Sequence, residues 1–122
     1  MPHTVPRCLK RILVIDDNPD LAESLSILFG MDGHCVETAL TGLEGLEKAS
    51  SFNPQVVVCD LGMPHFDGLA VAKALRCQPH LNGIRLIALS AYELGQEALA
   101  AGFDHYLRKP PNLRELAKLI AD

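Results

Sequence analysis

Val56-Val57-Val58-Cys59-Asp60-Leu61-Gly62-Met63-Pro64-His65-Phe66-Asp67-Gly68 is the stretch whose reading decides the fold. Three β-branched residues and a cysteine run without a polar break into one acid. A run apolar at every position suits a strand buried on both faces, as in a parallel sheet. The strand must end near Asp60, because an unpaired charge in a core is costly. Met63-Pro64 then opens a loop, since proline lacks an amide donor and restricts the residue before it. Asp67-Gly68 closes the loop and starts a helix. Asp60 is therefore predicted at the carboxyl end of a central strand, the edge where open α/β sheets bind ligands. Read blandly, Asp60 only caps the next turn.

Working outward, residues 11–15 (Arg-Ile-Leu-Val-Ile) form a second wholly apolar strand that stops at Asp16-Asp17. Asn18-Pro19-Asp20 reads as a helix start, with Asn18 as N-cap, Pro19 in the first position and an acid in the first turn. Leu21, Leu25, Leu28 and Phe29 share a helical face, and Gly30 and Gly33 bracket the exit. Residues 35–39 alternate as a strand nearer an edge does. Thr41 and Glu44 have capping-box spacing for a helix that runs to about Ser50, weakened by Gly45. After the central strand, Val71, Ala72 and Leu75 share a helical face and residues 79–83 form a loop. Residues 85–89 make a fourth strand ending in Ser90. Residues 93–101 make a short helix stopped by Gly102. Residues 105–107 make a brief fifth strand leading to Lys109-Pro110. Asn112 caps a last helix with Leu113, Leu116, Ala117 and Ile120 on one face.

Five strands alternating with five helices imply an α/β fold with a parallel sheet and right-handed crossovers. The expected arrangement is a flavodoxin-like (βα)5 sandwich with strand order 2-1-3-4-5. Its 122 residues make one domain, residues 11–122, behind a short tail, residues 1–10. Hydrophobic residues make up 48%, which excludes a disordered chain. The net charge of -4 argues against direct nucleic-acid binding, which needs a basic stripe. The tail is not a signal peptide, and no run approaches the ~20 apolar residues that span a membrane. None of Cys8, Cys35, Cys59 and Cys77 forms a Cys-x-x-Cys pair. They read as reduced core thiols of a cytoplasmic protein, neither a disulfide framework nor a zinc site. The five histidines show no ligand spacing, and His65 is assigned no role.

Parallel strands put all their carboxyl ends on one edge. Asp16, Asp17, Asp60, Ser90 and Lys109 should therefore meet in an acidic pocket flanked by one cation and one hydroxyl. Close carboxylates raise one another's cost of ionisation. A hard divalent cation such as Mg²⁺ relieves that cost, takes oxygen ligands and often keeps several waters. Asp16 and Asp17 are the natural metal holders. Asp60 is the natural nucleophile, able to form an aspartyl phosphate. Lys109 can pair with a phosphoryl oxygen and Ser90 can donate a hydrogen bond to another.

On these residues the chain resembles the receiver domains of two-component response regulators. The matching positions are Asp16-Asp17, the stretch from Asp60 to Gly68, Ser90-Ala91 and residues 106–110 (Tyr-Leu-Arg-Lys-Pro). The resemblance runs from about Arg11 to Ile120. It implies that Asp60 accepts a phosphoryl group from a phosphohistidine on a histidine kinase or histidine phosphotransfer domain. It implies direct Mg²⁺ ligands in Asp17, Asp60 and the Gly62 backbone carbonyl, with Asp16 acting mainly through water. Ser90 and Lys109 would hold phosphoryl oxygens, Tyr106 would turn inward as Ser90 moves toward the phosphate, and the Lys109–Pro110 bond would be cis. Such a chain is a phospho-acceptor that assists its own phosphorylation and dephosphorylation, with output through a domain or effector protein outside this chain.

Two positions depart from the family pattern. Gly62 replaces a larger side chain that often tunes phosphate lifetime, and in this it is most like receivers of hybrid sensor kinases. The Ser90–Lys109 interval is about one helical turn short, a shortage falling in the fourth helix or the loop before it. Competing functions are a phosphorylation-independent receiver-like scaffold and an aspartyl-nucleophile phosphatase. The phosphatase would want an acid where Gly62 stands. Flavin binding on the same fold is disfavoured, because Asp16-Asp17 would repel phosphate.

Overall fold

The computed structural model describes residues 8–62, 68–92 and 95–122. The expected loop at Met63-Pro64, the expected cap at Asp67, the start of the expected helix at residue 93 and the first seven residues of the tail lie outside these. Five strands alternate with five helices: β1 (Arg11–Ile15), α1 (Pro19–Met31), β2 (Cys35–Ala39), α2 (Gly42–Phe52), β3 (Val56–Asp60), α3 (Gly68–Arg76), β4 (Arg85–Ser90), α4 (Gly95–Ala101), β5 (His105–Arg108) and α5 (Leu113–Ala121). All neighbours pair in parallel, in the order β2-β1-β3-β4-β5. This is the predicted fold class and strand order. Among the described residues, no helix is long and apolar enough to cross a membrane.

Alternation along each buried strand feeds two cores. Leu13, Ile15, Val57, Cys59, Leu86 and Ala88 face α2, α3 and α4, where they meet Ala49, Val71, Leu75 and Ala98. Ile12, Val14, Val56, Val58, Ile87 and Leu89 face α1 and α5, where they meet Leu25, Phe29, Leu116 and Ile120. Each face excludes water from several fully buried aliphatic side chains, at about 1.5–3 kcal/mol apiece. Leu113 shares the apolar face of α5 in sequence but is exposed, because it is the first residue of the helix and burial begins at Leu116.

The helix starts follow their local chemistry. The Asn18 side chain accepts from Asp20 N and Leu21 N at 3.0 and 3.3 Å. Thr41 Oγ1 accepts from Glu44 N at 3.0 Å, while Glu44 Oε1 reaches one residue past the cap and accepts from Leu40 N at 2.7 Å. Asn112 accepts from Glu115 N at 3.1 Å. Gly45 is more than a weak point in α2. A Cβ there would stand 2.5 Å from Ile15 Cδ1, so its absence lets α2 lie close on β1. α4, with 7 residues, is the shortest helix described, which is where the shortened Ser90–Lys109 interval was expected to fall.

The cysteine reading needs correction. Cys59 is a buried thiol outside any disulfide, but Cys77 is exposed. Cys8 and Cys35 are joined in a disulfide with Cα atoms 5.2 Å apart, a normal span for the bond. The cause is an extension of the β1–β2 pairing backwards along the chain. Leu9 N donates to Gly33 O and Cys35 N donates to Lys10 O, both at 3.0 Å. These bonds bring Cys8 beside a residue 27 positions away, which no local spacing reveals.

Candidate functional site

Three strands end in the same local device. Asp16, just past β1, accepts through Oδ1 from Asn18 N at 2.9 Å. Asp60, the last residue of β3, accepts through Oδ1 from Gly62 N at 3.0 Å. Ser90, the last residue of β4, accepts through Oγ from Tyr92 N at 3.0 Å. Each is a side chain bonded to the backbone two residues on, which turns the chain out of the strand without breaking the sheet. Asp16, Asp60 and Ser90 are all buried. Backbone bonds tie the turns to neighbouring strands: Asp16 N to Ala39 O at 3.0 Å, Leu61 N to Leu89 O at 2.9 Å and Lys109 N to Ser90 O at 2.8 Å.

With both Oδ1 atoms held by their own turns, the Oδ2 atoms face Lys109. Its Nζ lies 3.0 Å from Asp16 Oδ2 and 3.2 Å from Asp60 Oδ2. Burial pushes the ammonium pKa down, but the bond to Asp16 and the charges of Asp16 and Asp60 outweigh it, and the pKa is raised. Asp17 completes the cluster, with carboxylate oxygens of Asp16, Asp17 and Asp60 all within 4.8 Å of one another. The Asp17 carboxyl is held above the usual range by partial desolvation, then by the hydrogen bond and charge of Asp60, then by the charge of Asp16. As Asp17 is open to solvent, the crowding of negative charge is the part that a bound cation would relieve. Three hard oxygen donors converging at this distance fit a hard divalent cation of the Mg²⁺ type.

Sequence reasoning therefore brings Asp16, Asp17, Asp60 and Lys109 to one place. Ser90 sits one strand over and one residue further on, since Asp60 pairs in register with Leu89. Tyr106 is half-buried in β5 against the core that faces α4. Its hydroxyl donates to the carbonyl of Tyr92, and a Cβ on Gly95 would stand 3.5 Å from its ring. Tyr92 is the residue that sequence reasoning missed. Its N–H is held by Ser90 and its carbonyl by Tyr106, so the backbone of one residue links the two predicted switch residues. The only signal for it was its position two after a strand-end serine. The Lys109–Pro110 bond is cis, as the resemblance implied.

Comparison with known proteins follows this geometry. Residues 12–121 match the family model of the response regulator receiver domain. The chain is 38% identical over 113 residues to the transcriptional regulatory protein PrrA of Mycobacterium leprae, covering 90% of this chain and 48% of that one. It is 39% identical over 109 residues to the response regulator MprA of Mycobacterium ulcerans, covering 87% and 46%. The chain thus spans about half the length of the curated relatives it matches. Among solved structures, it superposes with TM-score 0.82 on the response regulator TrrA of Thermotoga maritima in complex with Mg²⁺-BeF. That match is 34% identical and covers 92% of this chain and 96% of TrrA. An acidic strand-edge cluster facing a lysine, on a 2-1-3-4-5 sheet matched over nearly its whole length, leaves one conclusion: the chain belongs to the response regulator receiver domain family.

Proposed function

We propose that Asp60 is the phosphoryl acceptor, taking the group from a phosphohistidine on a partner histidine kinase or histidine phosphotransfer domain. The observation that carries this is the Asp60 carboxylate, buried at the carboxyl end of the central strand and facing Lys109 at 3.2 Å. An O–P bond forms at Asp60 as the N–P bond of the donor breaks. The electron pair stays on the imidazole nitrogen, which then takes a proton. Lys109 is placed to follow the phosphoryl oxygens as a point charge, and Ser90 to donate a hydrogen bond to one of them once its hydroxyl leaves Tyr92. Lys109 is held cationic by its raised pKa, so it keeps its charge throughout the physiological range.

Asp16, Asp17 and Asp60, with the Gly62 carbonyl, would hold Mg²⁺. When bound, that ion supplies the positive charge that lets a carboxylate nucleophile and an anionic phosphoryl group approach. Tyr106 is the proposed readout. If Ser90 turns toward a phosphoryl oxygen, Tyr92 N loses its acceptor, and the Tyr106 bond to the carbonyl of the same residue is disturbed. Gly62 leaves the acceptor without an overhanging side chain, since a Cβ there would stand 3.7 Å from Asp60 Oδ1. We assign the chain to the cytoplasm, as a receiver at residues 11–122 that works without turnover of a substrate. Its output passes to a domain or effector protein outside these residues.

The test is intact-mass spectrometry after incubation with Mg²⁺ and acetyl phosphate. One phosphoryl adduct is expected, absent with EDTA and absent in Asp60→Asn. If neither an adduct nor a beryllofluoride–Mg²⁺ complex forms, Asp60 is not an acceptor and the unphosphorylated scaffold replaces this reading.

A further inference from the structure

The Cys8–Cys35 pair lies outside everything used so far. Cys8 belongs to the segment ahead of β1, and Cys35 opens the edge strand β2. Both residues are half-buried, and neither belongs to the two apolar cores. Both cores are therefore complete without this bond, which joins a surface segment to a sheet edge. A disulfide in that position is open to attack by an incoming thiolate, whereas one inside a core is shielded.

The same segment makes a second attachment. Lys10 Nζ donates to the carbonyls of Ile120 and Ala121 at 2.6 and 3.1 Å. The last carbonyls of a helix have no partners within it, and a cation there also meets the negative end of the helix dipole. Arg85 supplies the neighbouring Leu119 carbonyl at 2.6 Å. Residues 8–10 are thus fastened at one side to β2 and at the other to the end of α5.

We propose that Cys8 and Cys35 form a reversible thiol–disulfide site, and that its state sets how firmly Lys10 caps the C-terminal turn of α5. The oxidant is a small disulfide of the glutathione class. One cysteine thiolate attacks it, forms a mixed disulfide and releases the first small thiol. The second cysteine attacks the protein-bound sulfur, closes the Cys8–Cys35 bond and releases the second. Two electrons pass to the small disulfide, and the two cysteine protons end on the two released thiols. Reduction runs the same steps backwards. Oxidation pins the segment and its lysine, whereas reduction leaves the segment held by the Leu9 and Lys10 backbone bonds to β2 and its flank and by the Lys10 side chain itself.

The experiment uses the chain with Cys77→Ser, which removes the exposed competing thiol. The protein is equilibrated in buffers of graded reduced-to-oxidised glutathione ratio, trapped by alkylation and weighed intact. Hydrogen–deuterium exchange is then measured in both states. One internal disulfide is expected, forming and opening within the buffer range while the fold stays intact. The amides of residues 9–11 and of the last turn of α5 should exchange about tenfold faster when reduced. Adding Cys8→Ser should fix the fast pattern in every buffer. Adding Lys10→Met should keep the disulfide and the slowing at residues 9–11 but abolish the slowing in α5. Three results overturn the proposal: a pair that never closes, a pair that opens only when the protein unfolds, or an α5 response that survives Lys10→Met.

Discussion

The two edges of the sheet carry opposite charge and use it differently. At the carboxyl edge, three acids meet one lysine within a few ångströms. At the amino edge, Lys10, Arg76 and Arg85 line a cleft of about 750 Å³, yet each already donates to backbone carbonyls. Arg76 donates through Nε and Nη2 to Gly102 O, through Nη1 to Asn82 O and Ile84 O at 2.6 Å each, and through Nη2 to Asp104 Oδ2 at 2.9 Å. It clamps the end of α3 to the turn after α4 and to the entry of β4. The cations of the roomy edge are already paired, and the crowded edge has charge left over. Surplus charge of one sign, rather than open volume, marks where a ligand belongs.

The sharpest way to break this contrast is to remove Lys109, the cation that faces the acids. Lys109→Met should slow phosphoryl uptake from acetyl phosphate by about a hundredfold or more, the usual loss when a preorganised donor to a developing charge is deleted. Stabilisation by Mg²⁺ should persist, because all three carboxylates remain. Adduct formation against time, read by intact mass, checks the first part. Uptake at the parent rate would remove Lys109 from the site.

The matching change at the amino edge is Arg76→Ala. It strips five hydrogen bonds from carbonyl and carboxylate oxygens, several of them partly buried, and should cost about 3 kcal/mol in urea unfolding, given the usual worth of charged hydrogen bonds. Phosphoryl uptake by the folded fraction should change less than about twofold, since no Arg76 contact reaches the acids. Arg76→Lys should recover less than half of the loss, because a point charge cannot fork across four separate acceptors. Comparable loss of uptake in Arg76→Ala and Lys109→Met would mean that the two edges are not independent.

A smaller effect is expected where the two edges share backbone. A Cβ on Gly68 would stand 2.5 Å from the Asp60 carbonyl oxygen and 2.7 Å from Leu61 Cα, so Gly68→Ala must push α3 away from the end of β3. About 2 kcal/mol of stability should be lost, in the range of other overpacking changes. Gly45→Ala meets the Ile15 side chain, at 2.5 Å from Cδ1 and 2.8 Å from Cγ1, but no backbone atom, and should cost less. Parallel thermal unfolding of the two variants checks the ranking.

What was legible in the sequence follows from the range of the forces involved. Ile15 into Asp16 and Cys59 into Asp60 announce strand ends, because apolar runs that stop at an acid have a single physical reading. Parallel topology then converts four such ends into one site. Asn18, Thr41 and Asn112 announce helix starts because capping acts within three residues. Contacts set by tertiary approach were not legible. Gly45 looked like a propensity cost and is a packing requirement. Leu113 looked buried and is not. Cys8 reaches Cys35 only because the strand pairing continues backwards, and Tyr92 gains its place only because Ser90 and Tyr106 converge on it.

The subtlest test lies within the acidic edge. The Asp17 pKa is raised, so between its unfolded value of 3.8 and its folded value the native state binds more protons than the unfolded state. Stability contributed by this group therefore falls as pH rises through that window and stays lower above it. Lys109 does not obscure the window. Its pKa is raised from 10.5, so its contribution is full below that value and is lost only as pH climbs through its folded pKa. Without a divalent ion, Asp17→Asn should be more stable than the parent at neutral pH by about 0.5 kcal/mol or less, because water screens an exposed carboxylate. Saturating Mg²⁺ should reverse the order. An ion that binds only the native state stabilises it in proportion to the logarithm of its excess over its dissociation constant, and the variant would lack one of the proposed ligands. Urea unfolding of both proteins, with EDTA and with Mg²⁺, should give curves that exchange places. Equal gains from Mg²⁺ in both would leave Asp17 a spectator and put the ion on Asp16 and Asp60 alone.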